Sequence, residues 1–316
     1  MANIHDIAKL AGVSVTTVSR VLNNHKYVSA DKRTKVLTII DELNYAPNQS
    51  AIDLTRGETK MIGLIIPYNN NACFDQLLNG VLNKAVEKDY TVIVLPTQYN
   101  KEKEIEYLSK LKNKQLDGII ITSRANDWDT IIPYSDYGLI VSYDFTSHPA
   151  IGCSYIDRYS SYVEAFQLLK DKGHEHVAFT TARETESMST QHLITAYKEV
   201  FGTFIPEYYL TGCNCLDDGV AAAKKLLHLP NRPTAIFANG DEVAGGIHMY
   251  AKSINLDIPS DLAVIGQENQ PIGVGLGITT VDHQLTKVGE QACELIICKS
   301  NQKLQIPYQI IQRSSV

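Results

Sequence analysis

The 316-residue chain holds one tryptophan, four methionines and seven phenylalanines, and no apolar run approaches the length needed to cross a bilayer. No membrane partner is therefore expected, and without a hydrophobic secretory leader the expected compartment is the cytoplasm. Paired cysteines are missing as well. The six (Cys73, Cys153, Cys213, Cys215, Cys293, Cys298) are scattered, as reduced thiols of a reducing compartment would be. Cys213-Asn214-Cys215 lacks the second ligand pair of a zinc site, and His174-Glu175-His176 has no identifiable third ligand. Gly273-Val274-Gly275-Leu276-Gly277 lacks the strand-then-helix setting of a phosphate loop and predicts a flexible connection. No metal and no cofactor are expected.

Positive charge is also in short supply, with a net charge of -6. It is unevenly spread. Met1 to Lys60 carries eight Lys/Arg against six Asp/Glu, a net of +2, whereas Met61 to Val316 carries 21 against 29, a net of -8. A weakly basic head on an acidic body suits a nucleic-acid binder that avoids indiscriminate contact.

What the head does contain is a dense pattern from Asn3 to Asn23. Ile4, Ile7, Ala8 and Ala11 recur at helical spacing, Gly12 and Val13 interrupt, and Ser14 can cap a second helix. On that helix Val18, Val21 and Leu22 share one face, and Thr16, Arg20 and Asn23 share another. The polar face fits a major groove, although a plain helical hairpin with a solvated side has the same pattern. Val36, Leu37, Ile40 and Leu43 predict a third helix capped by Ser29, with Lys26, Lys32, Arg33 and Lys35 available to phosphates.

The run D-I-A-K-L-A-G-V-S-V-T-T-V-S-R-V-L-N, continued by Y-V-S-A-D-K-R-T-K-V and E-L-N-Y-A-P-N, resembles the opening of the lactose-repressor/galactose-repressor family of bacterial transcription regulators. The resemblance implies double-stranded operator DNA as partner. Val15, Thr16 and Arg20 would then read bases, and Thr17, Ser19 and Asn23 would position the backbone. It extends to Tyr27 and to a hinge helix over residues 47–60. There Asn48 joins the DNA contacts, Ala51 lets two copies approach, and Leu54 wedges between base pairs. Packing of Leu54 on the next domain is the plain alternative, and Ile52 and Asp53 depart from the family's hinge.

From Met61 onward, short apolar runs (M-I-G-L-I-I-P, T-V-I-V-L-P, D-G-I-I-I-T and four more) alternate with stretches long enough for covering helices. Parallel sheets covered on both faces follow, too many strands for one sheet. The fold class expected is a small all-α helix-turn-helix head (1–46) plus an α/β body (61–316) of two lobes, each with a mainly parallel sheet. P-Y-N-N-N-A-C-F-D-Q-L-L-N-G, K-G-H-E-H-V-A-F and I-T-T-V-D-H-Q resemble landmarks of the family's periplasmic-binding-protein-like body. That likeness places lobe 1 at about 61–157 and 283–304, and lobe 2 at about 158–282 and 305–316.

Ligands of such folds lie beyond the carboxyl ends of the strands. The resemblance puts Asn71, Phe74, Tyr143, Asp157, Leu193, Asp241 and Glu268 at cleft positions. Leu193 stands where the family commonly has an arginine, Gly240 replaces its asparagine, and His283 sits where glutamine is frequent. The expected effector is a small neutral sugar held by stacking and by carboxylate-to-hydroxyl bonds rather than by arginine. Tyr68, Phe74, Trp128, Tyr143 and Tyr159 could stack on it or could serve packing.

A sugar-processing enzyme and a solute receptor with no DNA role are the rival classes. The first finds no nucleophile with a base, no phosphate-binding lysine loop and no metal ligand set, and the second leaves the head unexplained. The expectation is a homodimeric repressor on a pseudo-palindromic operator, with affinity set by the cleft ligand. Release by an inducer and co-repression both remain open.

Overall fold

The computed structural model describes residues 3–46, 53, 56–69, 71–183 and 187–316. The calls on Asn48, Ala51 and Leu54 lie outside them. The chain divides into a head ending at Thr59 and a body beginning at Lys60.

The head has three helices: α1 (Ile4–Ala11), α2 (Val15–Leu22) and α3 (Ala30–Glu42). Asn3 caps α1 in a capping box with Asp6. Gly12 then takes φ +67°, a left-handed turn that costs glycine little and other residues more. Ser14 Oγ accepts the Thr17 N–H at 3.2 Å and so starts α2 only three residues after α1 ends. Ile7, Ala8, Ala11, Val18, Val21, Val36 and Ile39 close a single core.

Three expectations for α3 need correction. Ser29 makes no side-chain cap bond. Leu37 and Leu43 are exposed, and Ile39 takes the inward position, because the helix turns 100° per residue and Val36 and Ile39 share the face toward α1. Arg33 does not present a free charge either. Its guanidinium donates to Asn24 Oδ1 at 2.7 Å and to the His25 carbonyl at 2.6 Å, which fixes the loop after α2.

In the body, the first sheet has the order β11-β5-β4-β3-β1-β2 and the second β12-β10-β9-β8-β6-β7. The strands are β1 (Met61–Ile66), β2 (Thr91–Pro96), β3 (Gly118–Ile121), β4 (Leu139–Ser142) and β5 (Ile151–Ile156) in the first lobe. The second has β6 (Val177–Thr180), β7 (Tyr209–Leu210), β8 (Ala235–Phe237), β9 (Ala263–Gln267) and β10 (Thr279–Asp282). The chain then returns to add β11 (Lys303–Ile306) to the first sheet and β12 (Gln309–Ile311) to the second. Every pairing is parallel except β10 with β12. The first sheet thus runs to Ile306, two residues past the expected lobe boundary.

Strands such as β3, β8 and β9 are buried throughout, as sheets covered on both faces require. Small residues let the covering helices close up. A Cβ on Gly80 would sit 1.9 Å from the Thr286 carbonyl oxygen, and one on Gly289 would sit 2.2 Å from that of Leu77. The helices Ala72–Glu87 and Leu285–Ile297 therefore touch backbone to backbone. The stretch expected to be a flexible glycine connection is a short helix, Pro271–Gly275. Among the described residues no helix is long and apolar enough to cross a membrane.

Candidate functional site

Two surfaces gather the expected residues. The first is the outward side of α2. Val15 is half-buried against the head core, while Thr16 and Arg20 are exposed. The Arg20 side chain has no intramolecular partner among the described residues. Thr17 Oγ1 bonds Ser14 Oγ at 2.9 Å, and Asn23 Nδ2 donates to the Ser19 carbonyl at 2.9 Å. Thr17, Ser19 and Asn23 are thus engaged in holding the helix ends. Tyr27, 87% exposed, leans its ring toward His25.

The second surface is the cleft between the carboxyl ends of the two sheets. Asn71 follows β1 and caps the helix Ala72–Glu87 by accepting from the Cys73 and Phe74 amides. Phe74 packs with Tyr143, Ile156 and Leu285. Asp157 caps the helix Arg158–Asp171, its Oδ1 accepting from Ser160 N–H at 3.0 Å. Leu193 is buried in the second lobe's core, although its edge also borders a small pocket with Arg183, Thr190 and Asn239.

Asp241 has its charge turned inward. Oδ1 accepts from Thr280 Oγ1 and Oδ2 from the Gln270 amide, both at 2.7 Å. Gly266 and Gly273 make room for it: a Cβ on either would lie within 2.3 Å of an Asp241 carboxylate oxygen. Burial pushes this carboxyl up to about 7, against the pull of those two donors. Asp241 therefore ties β10 to the turn after β9 rather than offering an acceptor to the cleft.

Glu268 is likewise buried. His283 Nδ1 lies 2.9 Å from its Oε1 and Arg158 Nη1 3.7 Å from the same oxygen, while His283 Nε2 reaches Ser161 Oγ at 3.0 Å. Burial raises the Glu268 carboxyl, but His283 and Arg158 outweigh it and hold it below the usual range.

Arginines absent from the expected set stand among the cleft residues. Arg158 donates to the Tyr143 hydroxyl, and to Tyr162 Oη at 3.2 Å, with its plane over the Tyr143 ring. Arg183, from the second lobe, lies 4.5 Å over the ring of Tyr99 in the first. Arg124 lies over Trp128, which opens a short helix and packs on the first lobe's core rather than standing free in a loop. Burial raises the carboxyl of Asp144, which follows β4, above the usual range, against the pull of Arg158, Arg124 and Arg183. Tyr68 meets Tyr99 edge-on, and Tyr159 is tied to Glu199 and His192.

One buried residue escapes sequence reasoning. Glu104, in a lysine- and glutamate-rich helix, accepts from the Ala125 and Asn126 amides at 2.8 Å and from Asn126 Nδ2 at 2.7 Å. It fixes the loop that carries Arg124. His174 and His176 bond Thr234 and Tyr208 separately, and among the described residues no three His, Cys, Asp or Glu converge as a metal set. Burial pushes the Cys73 thiol beside Arg158 up to about 12, which leaves it an unreactive thiol.

Both parts of the chain are similar to known proteins. Residues 3–48 match the family described as bacterial regulatory proteins, lacI family, and residues 59–314 match periplasmic binding proteins and sugar binding domain of LacI family. The chain is 45% identical over 298 residues to catabolite control protein B of Bacillus subtilis (strain 168), covering 94% of each. A lac repressor dimer bound to operator and the anti-inducer ONPF superposes with a TM-score of 0.84 at 21% identity, over 99% of this chain and 98% of that one. The transcriptional regulator CelR in complex with cellobiose gives 0.70 at 21% identity over all of both chains.

Proposed function

The chain belongs to the LacI family of bacterial regulatory proteins, and from that membership we propose that it is a homodimeric repressor whose hold on a pseudo-palindromic operator is set by a small hydroxylated ligand in the inter-lobe cleft. The observation that carries the DNA half is Arg20. It stands exposed on α2, its five donors unengaged among the described residues, beside Thr16 and the half-buried Val15. Arginine pairs bidentately with guanine in the major groove, and a second copy supplies the other half-site. Thr17, Ser19 and Asn23 position the backbone, Tyr27 and Asn48 add contacts beside the groove, and Ala51 and Leu54 form the hinge wedge.

The ligand half rests on the cleft's mixture of acceptors, arginine donors and aromatic faces, which suits a carbohydrate. The family description names a sugar binding domain and the CelR structure holds cellobiose. A ligand touching both lobes favours one lobe angle over another, and operator affinity follows through that difference in binding. A mobility-shift assay on DNA upstream of the neighbouring genes, with and without sugars, tests both halves. A retarded band that a sugar alters is expected. No preference for any promoter fragment over bulk DNA at low salt sinks the DNA half, and a band indifferent to every sugar sinks the ligand half.

A further inference from the structure

The chain becomes part of the body at Lys60, and there it is held from both sides. The Lys60 N–H donates to Asp117 Oδ2 at 2.8 Å, and the Asp117 N–H donates to the Met61 carbonyl at 2.9 Å. Asp117, just before β3, thus grips two consecutive residues, one with its side chain and one with its main chain. From the β2 side the Thr91 N–H donates to the Lys60 carbonyl at 2.8 Å. The Lys60 ammonium lies 5.5 Å over the ring of Tyr90, whose own N–H donates to the Ala85 carbonyl in the last turn of the helix Ala72–Glu87. Lys60 takes φ +54°, a left-handed conformation that a lysine keeps only where its surroundings dictate it. β1 pairs with β2 from Met61 and with β3 from Ile62, both after this corner. The corner therefore fixes the direction from which the preceding chain arrives.

Resting on the operator reading above, we infer that Asp117 is a positioning residue for DNA recognition: by clasping Lys60 it fixes the point and direction at which the head of each copy leaves the body, and so sets the half-site spacing that two copies span. The head is joined covalently to the body at this residue, so freedom at Lys60 is freedom of the head. Half-sites are read together only at defined separations. One released residue extends by at most about 3.5 Å, and two copies by about 7 Å, which is about two base-pair steps of roughly 3.4 Å. The clasp gives up that reach and gains discrimination between spacings.

The test begins with selection of duplexes from a random pool by the full wild-type chain. The selected palindrome, the same duplex with one base pair inserted at its centre, and a duplex carrying a single half-site are then titrated by fluorescence anisotropy with the wild-type chain, Asp117→Ala and Asp117→Asn, with thermal melting to confirm folding. The wild-type chain should bind the palindrome at least tenfold more tightly than the lengthened duplex. Asp117→Ala should cut that ratio at least fivefold and keep single-half-site binding within twofold of wild type, whereas Asp117→Asn, which retains an oxygen acceptor, should keep the wild-type ratio. A wild-type chain indifferent to the inserted base pair, an Asp117→Ala ratio equal to wild type, or an equal loss on palindrome and single half-site overturns the positioning role and leaves the operator reading intact. If Asp117→Ala does not fold, Lys60→Pro, which lacks the N–H and cannot take a positive φ, is titrated in its place, and failure of both to fold makes the clasp a folding element and overturns the role. A pool from which no duplex is enriched overturns the operator reading, and the role of Asp117 with it.

Discussion

Gln76 donates from Nε2 to the backbone carbonyl of Glu268 at 2.8 Å, a side chain of the first lobe bonded to the main chain of the second. The contact lies beside the Glu268–His283–Ser161 chain of hydrogen bonds, so the angle between the lobes and the arrangement of that buried chain are mechanically linked. A single neutral hydrogen bond is worth about 0.5–1.5 kcal/mol. Gln76→Ala should lower body stability by about that amount and widen the lobe angle. Denaturant unfolding and solution scattering check the two effects, and an unchanged scattering profile with unchanged stability would show the contact to be idle.

Glu104 should prove far more sensitive than its neighbours Glu102 and Glu106. It is fully buried and satisfies three donors of the loop after β3. Glu104→Ala leaves those donors unmet inside the lobe, at about 1–3 kcal/mol for each one that water cannot reach. Unfolding of the variant should show a loss of several kcal/mol, while Glu102→Ala should stay within about 0.5 kcal/mol. Equal effects at the two positions would contradict the clamp.

Glu104 also marks where sequence reading stops. Nothing in K-E-K-E-I-E-Y-L separates it from the exposed glutamate two residues before, because burial there depends on a loop whose contacting residues lie 21 and 22 positions further along the chain. The architecture was legible because apolar runs recorded two-sided burial and the turn at Gly12 recorded a left-handed backbone. The cleft was less so. The family's motif pointed to Leu193 and to a ligand held without arginine, yet Arg124, Arg158 and Arg183 follow the carboxyl ends of three different strands, β3, β5 and β6. Arg158 did carry a signal. It directly follows Asp157 at the end of a strand, and strand ends are where such folds place ligands.

Asp241 predicts a pH dependence of unusual sign for a carboxylate with two good donors. Its folded-state value of about 7 lies above the ordinary aspartate range, so between about pH 4 and pH 7 the native state binds more protons than the unfolded one. Stability conferred by this group is fully present below about pH 4 and declines as pH rises toward 7, by at most about 1.4 kcal/mol per pH unit. Melting temperature followed from pH 4.5 to 7.5 should fall more steeply for the wild-type body than for Asp241→Asn. Parallel curves would place the proton elsewhere.

Arg20 offers the sharpest test of the head, because two measurements on one variant separate reading a base from holding a phosphate. The side chain is exposed on α2 with no partner among the described residues, so its removal leaves the core of Val18, Val21 and Val36 untouched and should not alter melting of the head. If it pairs with a guanine, Arg20→Ala should cost about 1–3 kcal/mol against the preferred operator and nearly nothing against an operator changed at that base pair. If it only neutralises a phosphate, both operators should weaken alike and the salt dependence of binding should fall by about one unit of slope. Base reading is expected here, because α2 is eight residues long, Thr16 stands one turn before Arg20 on the same face, and Thr17, Ser19 and Asn23 already have bonds that secure the helix ends. Titrations on the two operators at three salt concentrations decide the matter, and equal losses on both would move Arg20 from the base edges to the backbone.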